Sequence, residues 1–408
     1  MLDINLIREN PQLVKDGLIA KRAEPELVDK FLELDKDWRD LNKKFDDLRA
    51  EQRKLGKEGK EKAVKIKSEL KETEEKLNET GKLREEILRR MPNLPLSSVI
   101  IGRDENENKT IKEVGGKPEI KNPKDYFTLA QELDLIDTER AAKVSGSRFG
   151  YLKGGAALLE FALIDLAIKT LTKEGFTPII PPVMINEKSM KGMGYMEKTG
   201  DEIYYLPKDN LYLVGTSEQS IVPMHQDEIF STNDLPKRYV SFSACFRREA
   251  GSYGKDTKGI LRVHQFNKLE MISFVEPNKS EEEHKFLLSM EEKLMQALKL
   301  PYRVLDICSG DLGDPAAAKY DIEVWMPGEG KYRETHSTSN TTDFQARRLN
   351  IKHKDNQGKI KFVHILNGTA FSERPILAIL ENYQTEKGTV AIPKILQDYL
   401  GFKEIARK

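Results

Sequence analysis

The chain has 408 residues, enough for a large core and two domains, and its 67 basic residues are balanced by 67 acidic ones. A neutral chain has no overall field to draw in nucleic acid, so any RNA contact must come from local patches. Its two cysteines, Cys245 and Cys308, lie outside any C-x-x-C pair, which excludes a disulfide framework or structural zinc and leaves two reduced, partly buried thiols. The opening MLDINLIREN has no apolar core of signal-peptide length, its acids argue against a transit peptide, and no apolar run reaches membrane-spanning length. A cytoplasmic protein is expected.

Phe31, Leu34, Trp38, Leu41, Phe45, Leu48 and Leu55 recur at three-four spacing, broken only by Gln52, with charged residues between them. Gly56 and Gly59 interrupt this seam; Ile66, Leu70, Leu77, Leu83 and Ile87 form a second that stops before Pro92. The pattern predicts two long helices folded into an antiparallel coiled-coil hairpin over about residues 28–91, roughly 40 Å long. Hairpins of this kind are commonly structural or dimerising. Here the seam is narrow enough for the partner helix to fill it, and Arg53, Lys54, Lys57, Lys60, Lys62, Lys65 and Lys67 line a face that can meet RNA phosphates, although acids are interspersed.

From Pro92 to about Tyr126 runs a connector with Pro, Asn and Gly punctuation, so the domains are read as 1–105 and 106–408. An apolar helix is expected from about Gly155 to Lys173, then Gly175-Phe176 leads into a Pro-bounded strand ending at Pro182-Val183-Met184. Leu211 to Val214 reads as a strand entering Gly215, Thr216, Ser217 and Glu218, a set that suits a helix cap or a polar ligand loop.

Val240, Phe242, Ala244 and Phe246 alternate, placing Arg247 and Glu249 on the opposite face; a second run puts Arg262, His264, Phe266 and Glu270 on one face. Between them lie Gly251, Gly254 and Gly259 with Lys255 and Lys258. Arginine forks grip phosphate or carboxylate, an aromatic ring stacks on a base, and a carboxylate holds an ammonium. A nucleotide plus an amino acid would use all three, whereas a salt-bridged hairpin with a solvated tip would need none. Downstream, KYRETHSTSNTTDFQARRLNI is polar for a core strand and places Glu334 and His336 on one face. FVHILNGTAFSERPILAILENYQ alternates through Phe362, His364 and Leu366, then turns into a helix with Pro375 in its first turn, leaving Arg374 at the junction.

FRREAGSYGKDTKGILRVHQF resembles motif 2 of class II aminoacyl-tRNA synthetases in the form of the seryl-tRNA synthetase family, and the likeness covers nearly the whole chain. The stretch Gly175 to Met184 fits motif 1, and Phe362 to Gln384 fits motif 3. The resemblance implies an α+β fold, a class II antiparallel β-sheet flanked by helices and preceded by the hairpin. It implies a serine–tRNA ligase that activates L-serine with ATP to seryl-adenylate and pyrophosphate, then transfers serine to the 3′ end of tRNA(Ser); it leaves open whether tRNA(Sec) is also served. Arg247, Arg248, Glu249, Val263, Phe266, Glu334, Thr335, His336, Ser337 and Arg374 then hold ATP, with Glu334 on Mg2+ beside the phosphates. Thr216, Ser217, Glu218, Arg247, Glu270, Asn367 and Thr369 hold serine, and Arg247, Glu334 and Arg374 carry the chemistry. The arm and the motif 2 loop would meet tRNA, and the motif 1 region would form a homodimer. One departure stands out: Asn367 to Arg374 is one residue shorter than the common family form, and Glu373 occupies a position more usually small. A ligase acting on a carrier protein, a non-catalytic paralogue and a coiled-coil scaffold are the alternatives.

Overall fold

The computed structural model describes residues 1–54, 60–250 and 258–407. Gly56, Lys57 and Gly59 at the hairpin turn, and Gly251, Gly254 and Lys255 in the motif 2 loop, lie outside the described residues. Two compact units divide the chain, Met1–Leu94 and Pro95–Lys408. The connector from Pro95 to 105, counted with the first domain above, packs into the second unit: Leu96 N–H donates to the Ala317 carbonyl at 2.9 Å and Ser309 N–H to that of Ile100 at 2.8 Å. Among the described residues no helix is long and apolar enough to cross a membrane.

In the first unit, α1 (Ile4–Glu9) and α2 (Pro11–Ala20) precede α3 (Glu26–Lys54) and α4 (Lys60–Arg90). The last two run antiparallel, since Asp35 meets Arg84 near one end and Glu51 meets Lys62 at the other. Phe31 and Leu48 are buried, and Leu34, Trp38, Leu41 and Phe45 are partly covered, as their spacing requires. The second seam differs from expectation. Leu83 is 47% exposed, and Thr73 and Gly81 take seam positions instead, Gly81 because an added Cβ would stand 3.3 Å from the Trp38 indole nitrogen. The hairpin also buries a charge: Asp35, 0% exposed, accepts from Arg8 (Nε and Nη2, both 2.8 Å), Arg39 (Nε, 3.1 Å) and Arg84 (Nε, 2.8 Å). Burial raises the cost of ionising Asp35, but the Arg8 and Arg84 guanidinium groups outweigh it and hold the carboxyl below the usual range.

In the second unit, eight strands form one sheet: β1 (Lys109–Val114), β2 (Thr177–Ile179), β3 (Lys237–Phe246), β4 (Gln265–Val275), β5 (Tyr302–Asp306), β6 (Ala318–Met326), β7 (Lys331–Asn340) and β8 (His364–Ser372). Their spatial order is β1-β5-β6-β7-β8-β4-β3-β2. The sheet is antiparallel except at its edge, where β2 lies parallel to β3, so it is mixed rather than wholly antiparallel. Three helices, α5 (Gly154–Lys173), α6 (Ser280–Ala297) and α7 (Arg374–Asn382), supply one core. On α5 the buried residues Ala156, Leu159, Leu163, Ala167 and Leu171 recur every three or four positions, one apolar stripe against the sheet. From the strands, Leu269, Met271, Leu366 and Phe371 point into the same core. The other face of β4 carries Phe266, Lys268 and Glu270 and then, farther along, Ile272 and Phe274, which join a second apolar cluster with Ile221 and Leu349.

Removing a buried carboxylate that faces three guanidinium groups leaves their charge uncompensated. Asp35→Ala should destabilise the first unit by about 3 kcal/mol, read by urea unfolding followed through Trp38 fluorescence. An unchanged midpoint would mean that the cluster is solvated and neutral in its effect.

Candidate active site

A cavity of about 650 Å³ opens on the face of the sheet away from α5 and α6, and its floor is built by β4, β7 and β8. Alternation on β4 brings Phe266, Lys268 and Glu270 into it. On β7 the alternation is broken by a bulge opposite Ile322 and Glu323, and both Glu334 and Thr335 reach the cavity, followed by Ser337 and Ser339. The expected shared face of Glu334 and His336 is therefore lost. His336 is 1% exposed on the helix-covered side; its Nε2 donates to the Ala370 carbonyl at 3.0 Å and its Nδ1 lies 2.8 Å from Thr335 Oγ1. A one-residue insertion in a strand reverses every later side chain, and no sequence period announces it.

Arg247 leaves the end of β3 and lies over the Phe266 ring, its Cζ 5.2 Å from the centroid, with Nε donating to the Gly215 carbonyl at 3.2 Å. Glu249, with φ 51°, pairs with Arg262 at 3.2 Å. His264, expected to share the ligand face, instead fastens the backbone: its Nδ1 is 3.1 Å from the Arg247 carbonyl, and its ring packs on Phe149 and Tyr204. Val263 lines the wall, but Arg248 does not; its guanidinium lies 5.9 Å from the Tyr204 ring, outside the cavity lining. At the start of α7, Arg374 donates to the Glu334 carbonyl at 2.9 Å and stands 3.3 Å from its carboxylate. Burial would raise Glu334, yet its side chain is 47% exposed into the cavity, and the positive charges of Arg374, Lys319 and Arg247 hold the carboxyl below the usual range.

The other end is narrower. Gly215 turns the chain so that Thr216 and Glu218 face inward, while Ser217 points away and donates to the Ser241 carbonyl at 3.3 Å. Thr216 Oγ1 accepts the Glu218 N–H at 3.3 Å, but the N-cap position of the short helix that follows is Ser217, whose side chain makes no capping bond, so the cap reading does not hold for Thr216. Glu218, 2% exposed, accepts from Gln345 at 2.7 Å and from the Tyr195 hydroxyl at 3.2 Å; burial raises its carboxyl despite those donors. Glu270 pairs with Lys268 at 2.5 Å, and Asn367 and Thr369 of β8 complete the lining. Lys268 stands two residues before Glu270, so alternation alone would have found it. Tyr195 and Gln345 had no sequence signal, because only the fold brings them beside Glu218.

The cavity thus joins a cationic, aromatic end to an end lined by carboxylates and hydroxyls. That combination suits two anions held for in-line displacement, with an ammonium and a hydroxyl recognised alongside.

The fold and cavity define a class II aminoacyl-tRNA synthetase: residues 204–383 match the family described as tRNA synthetase class II core domain (G, H, P, S and T). Residues 1–95 match the seryl-tRNA synthetase N-terminal domain. The chain belongs to the seryl-tRNA synthetase family and is a class II ligase. It is 44% identical to the serine–tRNA ligase of Thermobifida fusca, over 98% of each chain. The crystal structure of seryl-tRNA synthetase from Pyrococcus horikoshii complexed with ATP superposes with a TM-score of 0.94 at 44% identity, covering 100% of both chains. The cytoplasmic serine–tRNA ligase of Naegleria fowleri in complex with AMP gives 0.90 at 35% identity, covering 100% of this chain and 99% of that one.

His336 and His284 are buried under the sheet, and burial lowers both imidazoles to about 4 from an ordinary 6.5. Between those values the unfolded chain binds more protons, so their contribution to stability is present above pH 6.5 and is lost as pH falls toward 4. Lowering pH from 7 to 5 should cost about 2 kcal/mol per histidine, seen as a steeper fall in melting temperature for the native chain than for a His284→Gln/His336→Gln variant. Parallel profiles would show that folding does not lower the pKa of these two rings.

Proposed function

We propose that this cavity catalyses serine-dependent adenylation, with the serine carboxylate attacking the α-phosphorus of ATP in line and expelling pyrophosphate. The observation that carries the reading is the convergence of Arg247, Glu249, Phe266, Glu334 and Arg374 with Thr216, Glu218, Glu270 and Thr369 in one cavity. Both reactants are anions, so neutralisation and positioning dominate, and no protein nucleophile is required.

Arg247 takes the α-phosphate and the attacking carboxylate. Glu249 accepts from the adenine amino edge, Phe266 and Arg374 hold the two faces of the base, and Val263, Thr335 and Ser337 line the nucleotide. Glu270, Thr216 and Thr369 hold the serine ammonium and hydroxyl, with Glu218 and Asn367 beside them. The alternative amino acid alanine would leave those buried polar groups unpaired, which is the basis of discrimination. Glu334 fits magnesium: it is ionised and opens into the cavity, and one carboxylate together with substrate phosphates is the usual holding set for that ion. Bound there, the ion would neutralise phosphate charge. Among the described residues there is no cluster of three or more candidate ligands, as a dedicated protein cage would require.

In the second step the terminal 3′-hydroxyl of tRNA attacks the adenylate carbonyl and releases AMP. The hairpin and the motif 2 loop are the proposed tRNA contacts. A homodimer through motif 1 is supported by Ile180, 86% exposed next to β2, and by Phe161, 57% exposed on α5. A cytoplasmic location accords with this activity.

Arg247→Ala should slow serine-dependent ATP–pyrophosphate exchange by about 100-fold or more, the scale of losing one transition-state donor. Near-native exchange in that variant would remove the central assignment. Deleting residues 28–91 should abolish charging of tRNA while leaving exchange intact, whereas an equal loss of both would make the arm a folding element.

A further inference from the structure

The β4–β8 ladder ends where Lys268 faces Ser372, because two residues later the chain has turned into α7. The next position on β4, Asn267, is nevertheless bonded on that side. Its backbone N–H donates to Glu373 Oε1 at 3.1 Å, and its side-chain amide donates to Glu160 Oε1 on α5 at 2.7 Å. The Glu373 carboxylate thus occupies the place of a backbone carbonyl and extends the ladder by one rung. Arg374 is the following residue, its own N–H held by Ser372 Oγ at 3.3 Å and its guanidinium by Glu334. Glu373, Arg374 and Phe266 all line the cavity.

We propose that Glu373 is a positioning residue for Arg374: by capping Asn267 through its side chain, it sets where the guanidinium stands opposite Phe266 and so governs the nucleotide end of the cavity. The proposal rests on the reading of Arg374 as the arginine that covers the base. It accounts for the departure seen in the sequence. A turn one residue shorter runs out of backbone before the last rung, and a side chain with an acceptor at the right reach supplies it. A small residue there would leave the Asn267 N–H without that acceptor and the turn without its anchor.

The acceptor does not need a charge. Burial in the cavity wall pushes the Glu373 carboxyl up to about 8, with the neighbouring Glu160 adding to the shift, so the uncharged acid predominates at neutral pH. Glutamine has the same length and the same accepting oxygen, whereas aspartate is one methylene short.

The test is serine-dependent ATP–pyrophosphate exchange by the full chain at neutral pH, with ATP and serine varied separately. Glu373→Ala and Glu373→Asp should each raise the KM for ATP about tenfold, the scale of one lost hydrogen bond, with the KM for serine within about twofold of native. Glu373→Gln should restore the KM for ATP to within about twofold of native. If the alanine variant does not fold, the aspartate and glutamine pair decides alone. An unchanged KM for ATP in the aspartate variant overturns the proposal, as does a glutamine variant as impaired as the aspartate one, or a loss shared equally by ATP and serine. Absence of serine-dependent exchange in the native chain would instead overturn the reading of the cavity itself.

Discussion

One strand, β4, has to satisfy two opposed demands, and the catalytic unit is arranged around how it does so. Leu269 and Met271 point into the helix-covered core, while Phe266, Lys268 and Glu270 point into the cavity. A strand can do this because successive side chains point to opposite faces. Charged groups in the wall of a cavity are costly unless paired, and these are: Glu270 with Lys268, Glu249 with Arg262, and Glu334 with Arg374.

These pairs explain how a chain with no net charge offers an anion site. Arg247 and Arg374 enter the cavity from the ends of β3 and β8, with Glu334 beside Arg374, while Glu218 and Glu270 lie at the other end with Lys268, so charge is patterned locally although the net charge is zero. The family resemblance supplied roles for individual residues, and the geometry separates them into two groups. Arg247, Glu249, Val263, Phe266, Glu334, Thr335, Ser337 and Arg374 share a cavity with Thr216, Glu218, Glu270, Asn367 and Thr369; Ser217, Arg248 and His336 do not line it. Each of the three excluded residues is next in sequence to one that does line it, so the difference lies in the facing of single side chains within those stretches.

The arm shows the same division. Its heptad seam was readable over α3, where Phe31 to Leu48 keep the spacing, and less so over α4, where Leu83 is exposed and Gly81 takes the seam beside Trp38. The buried Asp35 could not have been read from a hydrophobic pattern, because its partners Arg8 and Arg84 are 27 and 49 residues away in the chain. A seam tolerates such a charge only when distant guanidinium groups converge on it.

Periodicity, which is local, was enough to determine the helical hairpin and the core strands, and the resemblance to the family supplied the three motifs and most of the residues that meet in the cavity. What tertiary structure alone decided is where the local period fails and which remote groups meet. The bulge on β7 turned His336 away from the cavity, the ladder end on β8 gave Glu373 its place beside Asn267, and packing brought Tyr195 and Gln345 to Glu218. Register and bulges are set by the competition of whole strands for partners, a property of the assembled sheet, and so no stretch of sequence read by itself contains them.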